Sequence, residues 1–509
     1  MKWQNPIIPG FHPDPSICRV GRDYYLVTSS FEYFPGVPLF HSRDLVHWQQ
    51  IGHCLTRPDQ LNLRDAPSSG GIYAPTLRHH DGRFYMITTN TTHGGNFYVH
   101  TDDPTGEWSD PVRVRQGGID PSLLFDPDGT VHLTSNGLQW KDTWGIYQST
   151  IDIETGELLS DPEFIWGGTG GRYPEAPHLY RIDDLYYLMI AEGGTEYTHM
   201  ETIARSEDPL GPFEPCPHNP ILSHRSRPSP IQATGHGDLI QDHNGNWWMV
   251  FLAVRPHRGL WHHLGRETFL APVAWDTDGW PVVGNEGTVN FQMEGDVPED
   301  HGWESPEVRD DFDEERLRPC WNFLRNPDPE SWSLSEKDST LTLHGGKSNL
   351  NAISSPTFIG RRQQHFRCRA RALLDFRSES SRTEAGLAVR MDERHHYEMA
   401  LTRRAGKRTV ILRCHIGPLE QEIASAPAAC NPVELNVTAD REQYTFSFSC
   451  AGDTAIRLGT AETRYLSKEV AGGFTGVYFG MYATGNGRSC NNPAHFDWFE
   501  YLPLQERES

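Results

Sequence analysis

The stretch "PGFHPDPSICRVGRDYYLVTSS" (residues 9–30) sets His-Pro-Asp-Pro-Ser directly before a β-hairpin pattern. Alone, Asp14 between two prolines reads as a turn, because Asp and Pro both initiate turns. The hairpin behind it is what recurs. Its turn-plus-aromatic-strand unit, "VGRDYYLVTSS" (20–30), returns as "HDGRFYMITTN" (80–90), "PDGTVHLTSN" (127–136), "IDDLYYLMIAEG" (182–193) and "HNGNWWMVFLAV" (243–254). Asp-Gly and Asn-Gly between apolar runs are strong hairpin signals. Five copies at a spacing of roughly 45–60 residues match the period of propeller blades.

Each hairpin begins with a short strand: "DPSICRV" (14–20), "APTLRHH" (74–80), "DPSLLFD" (120–126), "EAPHLYRI" (175–182) and "HGDLIQD" (236–242). The first strand of a propeller blade lines the central channel, so equivalent positions of successive blades ring one axis. Those positions read Asp14, Ala74, Asp120, Glu175 and His236. Three carboxylates are costly to gather unless chemistry uses them.

Composition narrows the partner. The 509 residues carry 68 acids against 45 bases, a net charge of −23, with no basic cluster to meet phosphates. The nearest approach, "RRQQHFRCRAR" (361–371), alternates like the polar face of a strand. Nucleic acid and anionic membranes are therefore excluded as partners, while a neutral sugar fits. No run of about 18 apolar residues exists to span a membrane. The nine cysteines are scattered without a C-x-x-C pair, arguing against a disulfide framework and a zinc site. "MKWQNPIIPGF" lacks a charged region followed by an apolar core, so the expected location is cytoplasmic.

High Gly (47) and Pro (37) suit an all-β, turn-dense chain of two domains. The propeller is assigned to 1–295, an acidic, turn-rich linker to 296–309, and a second domain to 310–509. Short alternating runs such as "AGLAVRMD", "YTFSFSC" and "GVYFGMYAT" make that second domain an antiparallel β-sandwich. It serves either as a carbohydrate-binding module or as a brace for the propeller.

Glycoside hydrolysis needs one carboxyl group that stays protonated and one that stays ionised, with a third able to tune the first. Asp14, Asp120 and Glu175 supply three, and Phe31, Tyr33, Phe34 and Tyr73 supply flat walls nearby. "NPIIPGFHPDPSICRVGRDYYLVTSSFEYFPGVPLFHSRDL", "GGIDPSLLF", "RYPEAPHLY" and "HHLGRETFLAPVAW" together resemble glycoside hydrolase family 43, in its two-domain β-xylosidase and α-L-arabinofuranosidase group.

That resemblance implies an inverting, exo-acting enzyme. It makes Asp14 the general base, Asp120 the carboxylate that tunes and orients the acid, and Glu175 the general acid. It implies Arg266 as a sugar contact, with Phe31 and Tyr73 as pocket walls, and Tyr478 as an aromatic sent from the sandwich into the pocket. His236 is expected at the axis as a substrate-side residue and, in some relatives, a ligand of a structural Ca²⁺; the chemistry itself is expected to need no cofactor. Many β-xylosidase relatives carry Trp where this chain has Tyr73, which leaves terminal β-D-xylosyl and α-L-arabinofuranosyl substrates both open, the former slightly favoured. Xylo-oligosaccharide or arabinoxylan is the implied partner, a homo-oligomer is compatible, and a non-catalytic sugar-binding propeller is the alternative from another class.

Overall fold

The computed structural model describes residues 1–137, 142–299, 301–304, 307–450 and 453–505. Positions 300, 305 and 306 of the expected linker, and the last four residues of the sandwich segment, lie outside the described residues. Five antiparallel four-stranded sheets succeed one another along the chain. They begin with Ser16–Val20, Thr76–His80, Ser122–Phe125, Glu175–Ile182 and Gln232–Gln241, and the fifth ends at Pro281–Val283. These first strands touch in ring order, the fifth returning to the first, so the sheets are blades of a closed five-bladed propeller.

Local chemistry explains the blades. Gly21, Gly82, Gly129 and Gly245 turn four of the five hairpins with positive φ, a conformation that costs glycine nothing; Asp183 (φ 53°) does so in the fourth blade. The second strands, such as "RFYMITTN", "LYYLMIAE" and "WWMVFLAV", are buried along nearly their whole length. Strands covered on both faces carry continuous apolar runs rather than clean alternation. The ring is latched by the N-terminal segment. Asn5 exchanges two 2.9 Å hydrogen bonds with the Leu270 backbone, and Ile8 pairs with Thr268.

The C-terminal domain stacks two eight-stranded antiparallel sheets. Cys368–Phe376 alternates buried and half-buried residues at every step, the period-two pattern of a strand with one face in the core. One sheet runs in the order Leu419–Pro427, Lys407–Ile416, His395–Arg404, Glu384–Arg390, Tyr478–Thr484, Thr357–Arg362 and Asn322–Leu324. Its last strand is Tyr33–Phe34, contributed by the first blade. The two domains thus share a sheet, which no local pattern in the sequence announces.

The seam is also polar. Arg362 Nε donates to the Phe11 carbonyl and Arg325 Nε to the Ala66 carbonyl, each at 2.6 Å. The acidic linker is pinned rather than loose: the His301 amide donates to Asp44 and the Trp303 indole to the His47 carbonyl. One cysteine expectation needs correction. Cys430 and Cys450 form a disulfide, while the other seven are free; a pair 20 residues apart is joined by strand pairing, not by a spacing motif. Among the described residues, no helix is long and apolar enough to cross a membrane.

Candidate active site

At the mouth of the channel the inner strands share one backbone device. Asp14, Asp120, Ala176 and His236 all have left-handed φ, between 52° and 56°, and are followed by Pro15, Pro121, Pro177 and Gly237. Holding a non-glycine residue there costs about 1–3 kcal/mol, and such strain collects where function needs a fixed aim. This corrects the register read from sequence. The structural counterpart of Asp14 in the fourth blade is Ala176, and Glu175 stands one residue earlier, at a bulge in its strand. Tyr73, also one residue before the equivalent Ala74, is its counterpart in blade two. Glu175 therefore reaches the axis from a different offset than the two aspartates.

Asp14 is clamped. Its Oδ2 accepts from the Ser29 hydroxyl and its Oδ1 from Arg266 Nη1, both at 2.6 Å, with His236 Nδ1 3.6 Å away. Burial alone would raise its pKa; Arg266, His236 and Ser29 overcome that and hold it below the ordinary value. Asp120 is in the opposite situation. Burial and the Asp14 charge push it up to about 7, relieved partly by the Ala176 amide donating to Oδ2 at 3.1 Å. Glu175 is half-buried, and burial with the charges of Asp120 and Asp14 drives it well above the carboxylate range. Of this pair, Asp120 has the amide donor that favours the ionised form and Glu175 has none among the described residues, so the shared proton belongs on Glu175.

Arg266 is 5 % exposed and links the domains: it donates to Asp14, to the Thr195 hydroxyl at 3.1 Å and to the Phe474 carbonyl at 3.3 Å. Its guanidinium lies 5.6 Å from the Phe31 ring and 5.8 Å from the Phe474 ring, cation–π geometry. Phe31 packs on Tyr73, and the Tyr73 hydroxyl donates to the Ser69 carbonyl. Two residues further down the inner strands a second ring forms the floor. Asp238 accepts from Ser16, Arg78 and Tyr180, and His178 meets Arg78 and Ser122. The polar atoms of that layer satisfy one another, a rigid base beneath the carboxylates.

Two expectations change. Tyr478 is fully buried, stacked on Tyr33 at 4.0 Å within the seam, and does not line the pocket. The sandwich aromatic at the site is Phe474, whose ring meets those of Phe31 and Tyr73. Gly472 and Gly473 before it both have positive φ, and a Cβ on Gly473 would come 2.5 Å from Ser69 Oγ, so only glycine lets the loop deliver Phe474. Calcium at His236 is likewise a poor match. Ca²⁺ takes six to eight oxygen ligands, whereas His236 offers one nitrogen and its carboxylate neighbour Asp14 is already engaged by Arg266 and Ser29. Among the described residues, the group of three spaced to hold a metal is elsewhere. Thr195 and Phe474 escaped sequence reading because each acts through a partner distant in the chain, and Ser29 because no motif marks its bond to Asp14.

The arrangement offers an ionised carboxylate and a protonated one across a channel walled by aromatic rings, which is the equipment for general acid–base cleavage of a glycosidic bond. The family model described as glycosyl hydrolases family 43 matches residues 3–281, over half of the chain. The chain belongs to glycosyl hydrolase family 43. Its second domain matches a β-xylosidase C-terminal concanavalin A-like domain over residues 309–502. This places the chain among the glycosidases rather than among sugar-binding propellers.

The family-43 glycosidase is 48 % identical to the non-reducing end α-L-arabinofuranosidase BoGH43B of Bacteroides ovatus, over 99 % of this chain and 95 % of that one. It is 37 % identical to a xylosidase/arabinosidase of Butyrivibrio fibrisolvens, covering 97 % and 98 %. Among solved structures, the Bacteroides ovatus xyloglucan-locus GH43B superposes with a TM-score of 0.96 at 47 % identity, covering 99 % and 100 %. The xylan β-1,4-xylosidase of Bacillus halodurans does so at 0.93 and 36 %, covering 98 % and 100 %.

Proposed function

We propose that this glycosidase removes single pentosyl units from non-reducing ends with inversion, α-L-arabinofuranosyl groups foremost. The observation that carries the reading is the split in carboxylate charge: Asp14 held ionised by Arg266, Glu175 held protonated by burial and Asp120. Asp14 takes a proton from water as the water oxygen bonds to the anomeric carbon. The bond from that carbon to the leaving oxygen breaks, and the Glu175 proton goes to that oxygen. Asp120 keeps the acid protonated and oriented, and Arg266 fixes the base and meets the sugar. Phe31, Tyr73 and Phe474 wall the pocket, with His236 beside the base. Solvent exchange then returns the proton from Asp14 to Glu175.

The arabinofuranosyl preference is supported by the name of the 48 %-identical relative and by Tyr73, a smaller ring than the indole of the β-xylosidase pattern. Terminal β-D-xylosyl release is the second reading, supported by relatives named as β-xylosidases. The test is kcat/KM on 4-nitrophenyl α-L-arabinofuranoside against the β-D-xylopyranoside. The expected ratio is about tenfold or more for the arabinofuranoside, roughly 1.4 kcal/mol of transition-state discrimination. A ratio reversed to the same extent would hand the site to xylose. Proton NMR of the earliest product decides the stereochemistry: the β-anomer of arabinofuranose is expected, and the α-anomer would overturn inversion.

The role of Asp120 has its own signature. Asp120→Asn removes a charge that raises Glu175, so the Glu175 pKa falls. Activity requires protonated Glu175, so the basic limb of the kcat/KM profile moves to lower pH. An unmoved or raised basic limb in folded Asp120→Asn would show that Asp120 does not tune the acid.

A further inference from the structure

Outside the carboxylate ring, the sandwich sheet that takes in Tyr33–Phe34 carries a second cluster of ligand-type side chains. His396 and His415 stand directly opposite on neighbouring strands, His395–Arg404 and Lys407–Ile416. Their rings stack at 4.3 Å. Glu398, two residues along on the same face, brings Oε1 to 3.3 Å from His396 Nε2. The three are 0 %, 2 % and 5 % exposed for His396, Glu398 and His415.

The hydrogen bonding leaves two buried ring nitrogens of this cluster without a partner. His396 Nδ1 lies 3.1 Å from the Asp392 carbonyl, which can only accept, so the ring proton sits on Nδ1. Nε2 then presents a lone pair toward a carboxylate oxygen, and it makes no hydrogen bond; neither does the buried Nε2 of His415. Two acceptors facing each other in a dry interior are unfavourable unless a cation stands between them. The Nε2 contact to Glu398 lies outside hydrogen-bond geometry, and the Arg413 guanidinium holds the other carboxylate oxygen, donating to Glu398 Oε2 at 2.7 Å.

The distances suit a metal. Bonds of 2.0–2.1 Å to a tetrahedral Zn²⁺ put neighbouring ligand atoms about 3.3 Å apart, the separation found between His396 Nε2 and Glu398 Oε1. One ligand-type atom of each of the three residues lies within 4.8 Å of the others. An outer layer is present too. Arg413 bridges Glu398 Oε2 and both oxygens of Glu384, which aims the free Oε1 inward. Such support of ligating carboxylates is a regular feature of metal sites. Two imidazoles and one carboxylate favour zinc-like ions over calcium or magnesium.

We propose that His396 Nε2, His415 Nε2 and Glu398 Oε1 form a structural site for one divalent transition-metal ion, Zn²⁺ by preference, with water completing the tetrahedron. The ion would rivet two neighbouring strands. In the same cross-strand row, His396 pairs with Arg390 and Arg390 with Tyr478. Arg390 reaches across the seam to Tyr33 and Ser68. The ion would therefore stabilise the sandwich where it braces the propeller, and it takes no part in bond cleavage.

The experiment uses the full chain, free of any purification tag and stripped with a chelator, titrated with Zn²⁺ by calorimetry and counted by elemental analysis. One equivalent should bind with Kd below about 1 µM, raise the melting temperature, and slow amide exchange in the strands at 395–404 and 407–416. His415→Asn should weaken that binding at least about 100-fold, whereas His236→Ala should retain it. Wild-type protein that binds no stoichiometric Zn²⁺ would overturn the proposal, as would equal affinity in His415→Asn. If His415→Asn does not fold, exchange protection in the wild type decides: slowing centred on other strands refutes the site.

Discussion

Glu175→Ala lowers kcat/KM on an oligosaccharide by about 10³–10⁴-fold, the usual contribution of a positioned general acid. The loss depends on the leaving group. An alkoxide leaving from a sugar needs the proton, so the oligosaccharide shows the full deficit. A dinitrophenolate leaves without help, and on that glycoside the deficit shrinks to about tenfold or less. The variant also loses the basic limb of its pH profile, because the group held protonated by burial, Asp120 and Asp14 is gone. The side chain is half-buried and makes no hydrogen bond in the described structure, so the fold should survive, which circular dichroism checks. Equal losses on both leaving groups would remove Glu175 from the acid role.

Asp14→Asn produces a deficit of similar or greater size, about 10⁴-fold, that is the same for good and poor leaving groups, since every substrate needs the water activated. KM should change little, because the amide keeps the volume and can still meet Ser29. Stability falls as well. Arg266 is 5 % exposed and its closest partner is Asp14 at 2.6 Å; removing one charge of a buried pair typically costs about 3–5 kcal/mol. The pH dependence follows from the sign of the shift. Asp14 is held below its ordinary pKa, so it stays ionised, and activity persists, down to acidic pH; the acid limb falls only through that lowered value. Retained turnover in folded Asp14→Asn would end its assignment as base.

These two residues differ in how legible they were. Asp14 is visible because His-Pro-Asp-Pro-Ser precedes a hairpin that repeats, and Asp120 because "DPS" occurs again at the next-but-one copy. Glu175 was visible as a carboxylate between prolines but not in its true offset. Its strand places Ala176, not Glu175, in the left-handed position before proline. A one-residue difference of this kind leaves the local pattern unchanged and is decided by how the strand bulges against Tyr186–Ala191.

The sequence by itself determined the architecture. Turn residues and apolar alternation act between near neighbours, so five hairpins, a run of sandwich strands and two of the three carboxylate positions can be read from short windows. The tertiary structure alone decided what surrounds those carboxylates. Ser29, 15 residues from Asp14, and Arg266, 252 residues away, set its charge; Phe474 rather than Tyr478 enters from the sandwich; Tyr33–Phe34 joins the two domains in one sheet. All of these but the Ser29 contact, which spans 15 residues, depend on contacts across hundreds of residues. Such contacts are selected by the packing of whole faces, and a short window of sequence carries no trace of them.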